Sequence, residues 1–107
     1  MIFKETTFFT KRLLSLMTDE QYREIQEFLI NDPASGKIIK GSGGIRKLRW
    51  SLGSHGKSGG VRIIYYWYTA EENIFMLLLY RKNEADDLTD EQLKQLKKIV
   101  ENELSSN

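Results

Sequence analysis

Gly60-Val61-Arg62-Ile63-Ile64-Tyr65-Tyr66-Trp67-Tyr68 decides how this chain folds. From Val61 onward the run is β-branched or aromatic at every position but one, too apolar for a solvent-exposed edge, and reads as a central strand. Alternation puts Val61, Ile63, Tyr65 and Trp67 on one face and Arg62, Ile64, Tyr66 and Tyr68 on the other. Arg62 is then the single charge on a central strand. It sits near the end fed by the loop Gly56-Lys57-Ser58-Gly59-Gly60. Two further strand-like runs, 45–50 and 74–80, flank this one through short connections, which predicts an antiparallel meander.

Upstream, a short strand over 2–6 precedes a helix over about 8–16, where Phe9, Leu13 and Leu16 recur at helical spacing. A second helix opens on the capping box Thr18-Asp19-Glu20-Gln21, with Met17 and Tyr22 as a hydrophobic staple, and stops at Asn31-Asp32-Pro33. Its apolar stripe is Tyr22, Ile25, Phe28 and Leu29. The same box recurs as Thr89-Asp90-Glu91-Gln92 and opens a last helix whose stripe is Leu93, Leu96, Val100 and Leu104. Helices, then strands, then a helix is the order of an α+β domain, here with the helices expected to cover one sheet face. No linker interrupts residues 1–107, so one domain is expected.

Charge locates the function. Between Asp32 and Glu71 lie thirty-eight residues without a single Asp or Glu, carrying Lys37, Lys40, Arg46, Lys47, Arg49, Lys57, Arg62, the sole histidine His55, and all eight glycines. Seven of the sixteen basic residues fall there and none of the fifteen acids, so the segment is +7 while the remainder is −6. The net charge of +1 hides this separation. A polyanion is the natural partner, nucleic acid above all. Strand phase sets Ile45, Lys47 and Arg49 on one face against Arg46, Leu48 and Trp50, and puts Tyr80 in phase with Lys82. A meander brings Lys47, Arg49, Arg62 and Lys82 to one concave face. Taken singly, Lys37, Lys40 and Arg46 read as solvated or ion-paired side chains, His55 as a loop histidine, and the tryptophans and tyrosines as core. The acids Glu84, Asp86, Asp87, Asp90 and Glu91 read as cap and solubilising residues of the last helix.

Several chemistries drop out. The chain has no cysteine, no phosphate-binding Gly-x-x-x-x-Gly-Lys loop and no His-Glu-x-x-His. One histidine builds no histidine-rich metal site, and the basic segment lacks the carboxylates of two-metal nucleases. No metal or cofactor is expected, and neither an export signal nor a membrane span is read, so a cytoplasmic protein is expected. Metal-free cleavage of RNA remains open: the 2′-hydroxyl attacks the adjacent phosphorus if its proton is removed, the extra negative charge is held and the departing 5′-oxygen is protonated.

Gly44-Ile45-Arg46-Lys47-Leu48-Arg49, the glycine-rich loop, Gly60-Val61-Arg62-Ile63-Ile64-Tyr65-Tyr66, Tyr80-Arg81-Lys82-Asn83-Glu84 and Asp87-Leu88-Thr89 together resemble the HigB-type branch of the RelE/ParE toxin superfamily. The resemblance runs from about Asp32 to Leu104. It implies a RelE-like antiparallel sheet of about four strands with two N-terminal helices and a C-terminal helix packed against it. It also implies the toxin of a type II toxin–antitoxin pair: a ribonuclease that enters the A site of the 70S ribosome and cuts the messenger. A HigA-like antitoxin would neutralise it in a hetero-oligomer. Residue by residue, the implied catalytic set is Lys47, Arg49, Arg62 and Lys82; the basic segment itself adds Arg46, His55 and Lys57 as expected RNA contacts. The chain departs from RelE in having Arg49 where RelE carries a lysine and Leu88 where RelE carries a stacking tyrosine. The general base stays open among Lys47, Lys57 and His55, or gives way to charge stabilisation alone. Two rival readings are a ParE-like gyrase inhibitor and a module that only binds ribosomal RNA.

Overall fold

The computed structural model describes residues 1–52, 60–84 and 87–105. Its elements in chain order are β1 (Ile2–Glu5), α1 (Thr7–Leu16), α2 (Asp19–Asn31), β2 (Lys37–Ile38), β3 (Arg46–Trp50), β4 (Val61–Tyr68), β5 (Asn73–Arg81) and α3 (Asp90–Ser105). The helices begin where the caps place them. Thr18 and Gln21 exchange both bonds of the capping box, and Thr89 and Gln92 do the same at the head of α3. Among the described residues no helix is long and apolar enough to cross a membrane.

The sheet is five-stranded, in the order β1-β5-β4-β3-β2. The meander β3, β4, β5 is antiparallel as expected, with β4 at its centre. Two edges correct the expectation of about four antiparallel strands. The two-residue β2 pairs antiparallel with β3, and β1 pairs parallel with β5, so the sheet is mixed. Strand β1 reaches β5 because helices α1 and α2 intervene before the meander, a connection that a parallel neighbour requires and a hairpin does not.

The helices divide between both faces rather than covering one. Phe9 of α1 and Ile25 and Leu29 of α2 pack against Leu48, Val61, Ile63, Tyr65, Met76 and Leu79. Leu96 and Val100 of α3 pack on the opposite face against Ile45, Ile64, Phe75, Leu77 and Tyr80. The reason lies in β4: both its phases are apolar, so each face needs a cover. Trp50 and Trp67 pack at the α1/α2 core, as expected of large aromatics on a central sheet.

Strand β5 contains a bulge. Ile64 pairs with Leu78 but Tyr65 pairs with Met76, which leaves Leu77 as an extra residue. Ile74 and Met76 face α1 and α2, then Leu77 and Leu78 both turn toward α3, and thereafter Leu79 returns to the first core. The phase is thereby reversed, so Tyr80 lies on the α3 face with Arg62. Strict alternation from Ile74 would have put Tyr80 on the other side. Thr6 supports the bulge. Its hydroxyl donates to the Leu77 carbonyl at 2.8 Å and accepts from the Phe9 amide at 3.0 Å as the α1 N-cap.

Candidate active site

Beyond the cover of α3, the α3 face of the meander is polar. Arg49 on β3 lies directly opposite Arg62 on β4, and Arg62 directly opposite Tyr80 on β5. Side chains so paired have Cβ atoms about 5 Å apart, a spacing at which like charges repel. Arg62 is nevertheless only 7% exposed. Among the described residues its guanidinium makes one hydrogen bond, a long one of 3.4 Å to the Val61 carbonyl, and has no carboxylate. A buried cation held against a second cation is costly unless an anion relieves it.

Lys47, two residues before Arg49 and on its face, donates from Nζ to the Asp87 carboxylate at 2.6 Å. That hydrogen bond, then the Lys47 charge and, more weakly, Arg49 and Arg62 hold Asp87 below the usual carboxylate range. The fold thus imports an acid into a segment that has none of its own. Asp87 is largely exposed, so the pair adds little stability. Tyr80 is buried, and among the described residues its hydroxyl has no partner. Burial, with the Asp87 charge added, pushes the phenol upward against the pull of Arg62, so at neutral pH it is a protonated donor. Lys82 follows β5 at the same end. It is exposed, and its amide donates to the Gly60 carbonyl at 3.2 Å, one step beyond the Val61–Arg81 pair. A groove of about 420 Å³, lined by Lys37, Lys40, Lys47, Asp87, Leu88 and Leu93 among others, runs from this cluster along β2.

Two guanidiniums and two ammoniums, with the buried Tyr80 phenol beside Arg62, can hold a phosphate in several ways at once and supply protons to it. The sequence model of the RelE toxin of the RelE/RelB toxin–antitoxin system matches residues 2–106. The chain belongs to the RelE toxin family. Among solved structures, a mutant of E. coli toxin RelE in the free state superposes with a TM-score of 0.59 at 14% identity, covering 79% of this chain and 86% of that one. At that identity the likeness is one of fold.

Within this RelE-family fold, the residues singled out by sequence separate into three groups. Lys47, Arg49 and Arg62 share the α3 face, and Lys82 stands at the end of β5 beside it. Arg46 stands apart. On the opposite phase of β3, it donates to the carbonyls of Ala34 and Gly36 at 3.1 and 2.8 Å and so pins the loop before β2. His55 and Lys57 lie outside the described residues. Sequence reasoning missed two members. Asp87 reads in sequence as a capping and solubilising acid, and only the fold brings it to Lys47; Tyr80 reads in phase with Lys82, but the bulge that turns it toward Arg62 leaves no mark in the apolar run.

Proposed function

We propose that this RelE-family toxin is a ribosome-dependent messenger endonuclease of the HigB type, neutralised by a HigA-like antitoxin and working without metal. The observation that carries this reading is the buried Arg62 guanidinium, set against Arg49 and, among the described residues, hydrogen-bonded to no carboxylate, so that an anionic ligand would relieve it. In the working mechanism Arg62 and Arg49 grip the scissile phosphate, and the substrate 2′-oxygen attacks phosphorus as its proton passes to water. The negative charge that accumulates on the non-bridging oxygens is held by the two guanidiniums. The bond to the 5′-oxygen then breaks, that oxygen takes a proton with Lys82 assisting, and a 2′,3′-cyclic phosphate remains. Tyr80, a protonated donor beside Arg62, adds a hydrogen bond to the same phosphate. While Lys47 is charged and paired with Asp87 it is a poor base. Positioning of messenger by the ribosome therefore carries much of the rate.

The test adds wild-type protein and Arg62→Ala to a reconstituted translation reaction and maps messenger ends by primer extension, with ribosome-free messenger alongside. Cuts that require both ribosomes and Arg62, and that leave a cyclic phosphate, are expected. Intact messenger with arrested translation would replace this reading by a binding-only module. Intact messenger with normal translation and inhibited gyrase would replace it by the ParE-like activity.

A further inference from the structure

Strand β1 pairs with β5 only as far as Met76, yet β5 continues to Arg81. The outer edge of that overhang is satisfied by side chains instead of by a strand. The Leu77 carbonyl takes the Thr6 hydroxyl, and the Leu79 carbonyl takes Arg12 Nε at 3.3 Å. The Arg81 amide donates to Glu84 Oε1 at 2.7 Å, and the same oxygen accepts from the Arg12 guanidinium. The Glu84 amide returns to the Arg81 carbonyl at 3.0 Å and closes a four-residue turn, with Lys82 and Asn83 at its tip. The Lys82 amide is meanwhile held by Gly60 from the opposite side. The backbone that carries Lys82 is therefore tied on one flank to β4 and on the other to α1.

We propose that Arg12 and Glu84 are positioning residues, an ion-pair clamp from α1 to the 81–84 turn that holds Lys82 in register with Arg62 at the phosphate. The clamp rests on the nuclease reading for its purpose but not for its existence. Its members are more than a third exposed, so as a salt bridge it adds little to global stability. Its effect is local. Without it the outer edge of β5 at Arg81 is unpaired and the 81–84 turn is held only by its own backbone bond and by Gly60, so the lysine at its tip samples a wider volume. Loss of alignment of that kind costs reaction rate rather than affinity.

Two measurements separate the clamp from the function. First, amide hydrogen exchange is followed by NMR in the full-length protein, without RNA or ribosomes. The Arg81 and Glu84 amides are expected to exchange at least about tenfold faster in Glu84→Gln and Arg12→Met, with the β4 amides unchanged. Equal protection in wild type and variants overturns the clamp, whatever the protein does. Second, single-turnover cleavage is measured on programmed ribosomes at saturating toxin. Each variant is expected to cut about 10- to 100-fold more slowly with unchanged ribosome affinity, and the swap Arg12→Glu/Glu84→Arg to recover part of the loss. Because the clamp acts through Lys82, adding Glu84→Gln to Lys82→Ala should cost nothing further. A full additional loss in that background overturns the positioning role. A wild-type protein that cuts no messenger overturns the nuclease reading and the positioning role with it, while the exchange result still stands for the clamp.

Discussion

Tyr80 and Asp87 show how single groups are set by their surroundings. A buried hydroxyl without a partner among the described residues is a burden on the fold, so Tyr80→Phe should leave thermal stability unchanged or raise it by up to about 1 kcal/mol, while slowing messenger cleavage. Lower stability with full activity would remove Tyr80 from the site. Asp87 and Glu84 are both held below the ordinary carboxylate range, Asp87 first by the Lys47 hydrogen bond and Glu84 first by the Arg81 amide. For such depressed groups the stabilisation is complete above the unfolded-state value near 4 and is lost as pH falls through the lower folded value. Both contacts should therefore be intact at neutral pH and fail only in strong acid. NMR titration of the two carboxyls checks this, and Lys47→Met should move the Asp87 midpoint back upward.

At the level of elements, the bulge in β5 is the feature on which the site depends, and Thr6 is its support. One hydroxyl both caps α1 and satisfies the Leu77 carbonyl, so Thr6→Val, which keeps the shape and removes both bonds, should destabilise by about 2 kcal/mol in chemical denaturation. A cost under about 0.5 kcal/mol would mean water replaces both bonds. The opposite end of β4 has a comparable constraint. Gly60 has φ +75°, and a Cβ there would lie 2.0 Å from the Trp50 carbonyl oxygen. Gly60→Ala should therefore cost about 2 kcal/mol or more, and a neutral substitution would contradict that geometry. Helix boundaries were legible because caps are local chemistry. The bulge was not, because Met76, Leu77, Leu78 and Leu79 are interchangeable to any pattern of polarity.

At the scale of the whole molecule, the fold brings Asp87 from outside the +7 segment to Lys47 within it. Removing that acid frees a cation for phosphate. Asp87→Asn should therefore bind single-stranded RNA more tightly at low salt and steepen the salt slope by about 0.7, the increment of one more phosphate contact. An unchanged slope would place Lys47 outside the RNA path. Lys47, Arg49 and Arg62 were legible as a face, because alternation along β3 and β4 depends only on the strand's own residues. Arg46 was placed with RNA by the same basic run, and the fold instead turns it to two backbone carbonyls of the 33–36 loop. Its donors had no signal in sequence, since the acceptors are main-chain atoms.

By itself the sequence determined the capped helices, the antiparallel meander with β4 at its centre, the phase of Arg62 and the family, because each follows from local periodicity or from residues close along the chain. Tertiary structure alone decided the rest: β1 joining β5 in parallel, α3 crossing to the face opposite α1 and α2, Tyr80 turned onto Arg62, Asp87 brought to Lys47, and Arg12 reaching Glu84. These contacts join groups that are up to seventy-two positions apart. They form only when two apolar faces of one strand are both covered, and that requirement appears once the chain closes on itself.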